Sequence, residues 1–230
     1  MIQKTLKTIG SKLTIRIPTL LNEVTLGQMT AMQEIPDLND LDAISVLSGI
    51  PIEELHNVRN ISDFDVFQDP VQSLSHQIKH LYNSDAVPAK VNFYSDEGDS
   101  EVNVMSNLSV EPSGAFMAAR EIIAEEINKH IERYGEADWK ENFNPSLKSC
   151  CQILAHYFFC RVTKKRYNEY EAEEFINKIK KLRVTEALPI AKHFFTSYPS
   201  LSKQKTSFWL LFRLNWRERL GLSHSRSLNI

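Results

Sequence analysis

Hydrophobic and polar positions alternate from Lys12 to Ile17, putting Leu13, Ile15 and Ile17 on one side, and the spacing predicts a strand ended by Pro18. The period then lengthens. Thr25 has the chemistry of a helix cap, and Leu26, Met29 and Met32 follow at three-residue steps, which predicts a helix over 25–35 and a turn over 36–40. A second helix holds Leu41, Ile44 and Leu47 inward, with Val46 as an optional fourth, and stops at Gly49. A third, short helix opens at Pro51 with Glu53 and Glu54 in its first turn, where carboxylates complement the helix dipole. Phe64, Phe67, Val71, Leu74, Ile78 and Leu81 continue at helical spacing, and Pro70 is expected to divide that stretch in two.

Residues 89–94 alternate Val91 with Phe93, and residues 101–105 alternate Val102 with Val104. The run Ser95-Asp96-Glu97-Gly98-Asp99-Ser100 between them is turn chemistry, so a β-hairpin is expected over 86–106. With Lys12–Ile17 it could form a three-stranded sheet. Beyond it the pattern returns to helices: a long one from 109–115 onward carrying Phe116, Ile122, Ile123 and Ile127, and another from Pro145 through Leu147, Ile153, Leu154, Tyr157 and Phe158. A third runs from Tyr170 through Phe175, Ile179 and Leu182, and a fourth through Leu188 to Phe195. The expected fold is mainly α, a helical assembly with a small β-hairpin or three-stranded sheet. Its modules are 1–85 (strand and helices), 86–106 (hairpin) and 107–222 (helices), with a flexible tail at 223–230. Both halves read as a strand element followed by helices in similar order, and internal duplication is one explanation.

The 230 residues, 42% of them hydrophobic, suffice for one large domain or two small ones. No apolar run is long enough to span a bilayer and no signal-peptide core follows Met1, so a cytosolic protein without a membrane partner is expected. The net charge of −2 hides a division. Residues 1–16 carry four basic and no acidic side chains, residues 17–160 carry eight against 23, and residues 161–230 carry 15 against six. Such asymmetry suits head-to-tail self-association into a homo-oligomer, an acidic partner or nucleic acid, and is equally compatible with solvated surface.

Candidate chemistry is sparse. His76 and His80 stand four apart on a helix, a spacing at which two imidazoles can share a metal, but no metalloprotease glutamate lies between them. Asp96, Glu97, Asp99 and Glu101 crowd oxygens around Gly98 without the order of a calcium loop, and read as an acidic surface turn. Cys150, Cys151 and Cys160 fall in one helix and read as buried free thiols. No phosphate loop or nucleophile elbow is present. No catalytic residue, cofactor or metal is therefore expected, although a metal-dependent enzyme using His76 and His80 is a second alternative. The basic run 161–170 has Tyr167 and Tyr170 available for stacking, yet Glu169, Glu171, Glu173 and Glu174 argue against a nucleic-acid groove. Near the carboxy terminus Phe208, Phe212, Trp216 and Leu220 form one i,i+4 row, with Trp209, Arg213 and Arg217 beside it. Trp and Arg dominate many interfaces, so this helix completes the core or binds a partner through Phe208, Trp209, Phe212, Arg213, Trp216 and Arg217, with a membrane-surface helix as a third reading that its broad apolar face and few basic residues disfavour.

The opening string, with its Pro-ended strand, Val24-Thr25-Leu26-Gly27-Gln28 and Leu47-Ser48-Gly49-Ile50-Pro51-Ile52-Glu53-Glu54-Leu55, resembles the amino-terminal half of tail-assembly-chaperone-like proteins of tailed bacteriophages, particularly those of Bacteroidetes-type hosts. Leu154-Ala155-His156-Tyr157-Phe158, Tyr170 with Glu173-Glu174-Phe175, and Leu188-Pro189-Ile190-Ala191-Lys192-His193-Phe194-Phe195 extend the resemblance over about two-thirds of the chain. It implies a mostly helical, non-enzymatic protein that binds other phage tail proteins in the host cytoplasm during assembly, the tape-measure protein among them. The acidic hairpin and the Trp/Arg-rich terminus do not match the family. That departure leaves a structural ring or connector protein of the neck or tail, retained in the virion, as the alternative.

Overall fold

The computed structural model describes residues 1–81, 86–94, 98–107, 110–135 and 143–197, except the side chains at 75 and 78–81. The chain opens with an antiparallel hairpin, β1 (Ile2–Lys7) and β2 (Lys12–Ile17), in which Ile2 faces Ile17 and Lys7 faces Lys12. Leu6, Ile15 and Ile17 point inward into a core shared with α1 (Leu26–Glu34), α2 (Asp40–Ser48), α3 (Ile52–His56) and α4 (Asp65–Leu81). A second hairpin, β3 (Lys90–Phe93) and β4 (Ser100–Asn103), precedes α5 (Ser113–Tyr134), α6 (Leu147–Thr163), α7 (Glu169–Glu174), α8 (Ile176–Ile179) and α9 (Val184–Ser197). The protein is mainly α with small β-hairpins.

Three differences from the sequence reading have physical causes. The Lys12–Ile17 strand pairs with β1, and the two hairpins form separate two-stranded sheets instead of one three-stranded sheet. Pro70 lies inside α4 without splitting it. Only one hydrogen bond is lost to the missing N–H, and the buried Phe67 and Leu74 on either side hold the helix against the core. The expected helix from Tyr170 to Leu182 instead breaks at Phe175, the shared end of α7 and α8, whose ring turns into the core.

The centre of the molecule is α6, apolar on most sides and, between Leu147 and Phe159, buried at every residue except the exposed Lys148 and half-buried Gln152 by α1, α5, α7, α8, α9 and β4. A helix that is hydrophobic all round needs such a sheath. Its buried polar side chains make specific contacts. The Tyr157 hydroxyl accepts from the Met105 N–H (2.6 Å) and donates to the Met105 carbonyl (3.0 Å), and the Phe158 ring meets Phe93 edge-on at 5.1 Å, so the second hairpin is pinned to α6. The Arg161 guanidinium stacks over Tyr157 and pairs with the buried carboxylate of Glu111. Glu126 on α5 accepts from the Ser146 N–H (2.6 Å) and the Ser149 hydroxyl (2.7 Å), capping the first turn of α6.

The two halves share one apolar core, and backbone joins them. Leu26 N–H donates to the Leu182 carbonyl at 2.8 Å and Val184 N–H to the Val24 carbonyl at 2.9 Å, an antiparallel bridge from whose two ends α1 and α9 depart. Gly27 N–H adds a third bond, to the Lys180 carbonyl at 2.8 Å.

Candidate functional site

The segment Val24 to Gln28 is explained residue by residue by its surroundings. Val24 and Leu26 are fully buried. Thr25 Oγ1 accepts from the Gln28 N–H (3.2 Å) and Gln28 Oε1 accepts from the Thr25 N–H (2.9 Å), a reciprocal cap on α1. Gln28 then extends its amide to the Leu47 carbonyl at 2.9 Å, tying the first turn of α1 to the last turn of α2. A Cβ on Gly27 would lie 2.9 Å from the Lys180 carbonyl oxygen, so only glycine allows the 180–184 segment this close.

The second motif closes the same unit. Gly49 ends α2 at φ 71°, a left-handed conformation that glycine adopts without strain. Ser45 donates its hydroxyl to the Ile50 carbonyl (2.7 Å), and Ser48 Oγ accepts from the Ile50 N–H (3.2 Å), so the link to Pro51 and α3 is fixed. Between α1 and α2 this leaves a shallow, largely apolar groove of about 380 Å3 lined by Gly27, Ala31, Val46, Gly49, Ile50 and Pro51 together with the polar Gln28 and Ser45. Val46, the optional inward position, is half-exposed and forms part of its wall.

A larger cleft of about 820 Å3 lies between the end of α5 and residues 143–146. His130 stands there against the rings of Tyr134 (4.8 Å) and Phe143 (5.2 Å), and its Nε2 is buried without a hydrogen-bond partner among the described residues. The rim of this cleft, from Gly135 to Phe143, runs into residues outside those described.

The six carboxy-terminal positions expected to bind a partner, Phe208, Trp209, Phe212, Arg213, Trp216 and Arg217, lie outside the described residues, as do Asp96 and Glu97. His76 is exposed on α4, and the side chain of His80 is not among those described. Among the described residues no three His, Cys, Asp or Glu side chains gather as metal ligands, and no helix is long and apolar enough to cross a membrane. Cys150 and Cys151 are buried free thiols whose pKa burial raises; Cys160 is partly exposed. Within the basic run 161–170 Arg161 pairs with Glu111, Lys165 with Glu171 at the surface (2.9 Å) and the Tyr167 hydroxyl with His156 Nδ1 (2.9 Å), while Lys164 and Arg166 are exposed. Burial lowers the pKa of His156 and raises that of Tyr167.

No family model matches this chain, and neither the curated proteins nor the solved structures contain a match to it.

Proposed function

We propose that this chain is a non-enzymatic assembly protein of a tailed bacteriophage, a tail-assembly chaperone or scaffold that binds other tail proteins, with the tape-measure protein as its principal partner. The observation that carries this reading is the α1–α2 groove. The two strings that resemble tail-assembly chaperones fold together to make it, and its small and apolar lining fits the side chains of an amphipathic helix laid across it. Two buried aliphatic anchors would contribute about 3–6 kcal/mol before the cost of association, a grip that growing tail-tube subunits can displace.

Co-expression with the tape-measure protein of the same phage tests this. The wild-type chain should capture it, and Val46→Glu, which places a carboxylate in the groove wall at a half-exposed position, should abolish capture while preserving the circular dichroism spectrum and urea midpoint. Capture by Val46→Glu equal to wild type would sink the proposal.

The connector reading draws on a different feature. The outward face of the first hairpin carries Lys7 directly opposite Lys12, with Arg16 on the same face and no carboxylate among its residues, and neighbouring acidic bodies in a ring would complement it. Light scattering on the isolated chain separates the two: a discrete closed oligomer supports the connector, and a monomer or small oligomer the chaperone.

A further inference from the structure

The groove lies in an acidic part of the chain. Residues 17–78 carry ten carboxylates and one basic side chain, Arg59. Glu34 lies one turn beyond Ala31 on α1, Asp42 one turn before Val46 on α2, and Glu53 and Glu54 follow Pro51; all are exposed except the half-exposed Asp42. Lys180 packs its carbonyl and Cβ against Gly27. An occupant suited to this surface has an apolar row for the floor and several cations for the rim.

Residues 198–230 have that chemistry, with six basic side chains against a single carboxylate, Glu218. Phe208, Phe212, Trp216 and Leu220 recur at every fourth position, and Arg213 and Arg217 each follow one residue later. The tether is long enough. Phe208 is eleven residues beyond Ser197, the end of α9, a reach of about 36–40 Å when extended. A body of this size has a radius of gyration of only about 16 Å. A tether of this length holds its sequence at millimolar effective concentration near its own groove, well above that of any separate partner.

Resting on the reading of the groove as the partner site, we propose that residues 208–220 dock into the α1–α2 groove of their own chain and occupy it until a tail protein displaces them. The apolar row covers the floor around Ala31, Val46 and Ile50, and the arginines meet the carboxylates of α1, α2 and α3. Self-occupancy reduces the affinity for a partner by the fraction of chains whose groove is open, so the protein shields its own apolar surface before a partner arrives.

The test uses the full chain carrying Trp139→Phe, which leaves Trp209 and Trp216 as its indoles. Val46→Glu should move their emission to longer wavelength and lower amide-exchange protection across 208–220 by ~10-fold or more. Asp42→Lys combined with Glu53→Lys, which leaves the apolar floor intact, should act in the same direction, as should added salt. Unchanged emission and protection in both variants would overturn the docking, as would protection that appears only as the chain dimerises, since a second copy would then be the occupant. Phe212→Glu should increase capture of the tape-measure protein. If the indoles are released but no variant captures that protein, the docking stands and the tail-assembly reading falls. If Val46→Glu blocks capture without altering the indoles, the partner site stands and the docking falls.

Discussion

Replacing Gly27 by alanine sets two effects of opposite sign against each other. Alanine is favoured over glycine inside a helix by about 0.8–1.0 kcal/mol, and Gly27 is the second residue of α1. Against this, the new methyl carbon would lie 2.9 Å from the Lys180 carbonyl oxygen and 3.0 Å from its Cβ. That oxygen cannot swing away, because it belongs to backbone and already accepts the Gly27 N–H at 2.8 Å. Relief requires the 180–184 segment to retreat, loosening the Leu26–Leu182 and Val184–Val24 bonds as well. Overpacking of this kind costs about 1–3 kcal/mol, and each weakened hydrogen bond adds about 0.5–1.5 kcal/mol if lost. The clash wins, with a net destabilisation of about 1–2 kcal/mol. Urea unfolding followed by circular dichroism measures it, with Gly10→Ala as the control, because a Cβ at Gly10 meets nothing within 4 Å. A Gly27→Ala midpoint at or above wild type would refute the close approach of the two segments, and with it the architecture of the groove.

Three further outcomes follow from individual contacts. Glu111→Ala strands the Arg161 guanidinium against the protein and should cost about 2–4 kcal/mol in urea unfolding, discounted because Arg161 keeps some access to water; a loss well under 1 kcal/mol would mean the pair is not formed. Glu23 accepts from the backbone N–H groups of Thr19 and Leu20 and from the Met1 amine, which hold its carboxyl down to about 2. Its contribution is complete above the ordinary carboxylate range and is lost as pH falls from about 4.5 to about 2, so Glu23→Gln should flatten acid unfolding over that window, and an unchanged acid limb would count against these bonds. His156 is held neutral by burial, so the unfolded chain binds the proton first and stability falls as pH drops below about 6.5. His156→Gln should reduce that slope, and equal slopes in thermal melts from pH 7.5 to 5.5 would contradict it.

Local chemistry in this chain was legible, and features made by distant residues were not. The Thr25 cap, the Gly49 stop and the Pro51 start each depend on a few neighbouring residues, and all three stand where the sequence puts them. Strand β1 is hidden from hydrophobic periodicity because Lys4 occupies an inward position between Ile2 and Leu6 and spoils the alternation. It is tolerated there because its ammonium reaches the Asp63 carbonyl at 2.8 Å and carboxylate at 3.5 Å, partners 59 residues away. Phe175 ends α7 for a tertiary reason as well, the packing of its ring at a tilt against Phe93 and edge-on to Phe159. The groove could not be read from the motifs that build it, since its shape depends on Gln28 reaching Leu47 and on Lys180 pressing against Gly27. Sequence periodicity drew attention instead to Phe208 and Trp216, where the chemistry is concentrated within one short stretch.

The bridge between Val24 and Val184 also sets a schedule for synthesis. Two strings separated by some 160 residues must meet before α1 acquires its final neighbours, so the first helices leave the ribosome long before the segment that braces them. At about 5–20 residues per second that interval is ~10–30 s, during which the apolar side of α1 has only its early neighbours for cover. A chain interrupted before residue 184 would carry every residue of the groove yet lack the strand that positions Gly27, and binding competence would thereby report that translation had passed that point.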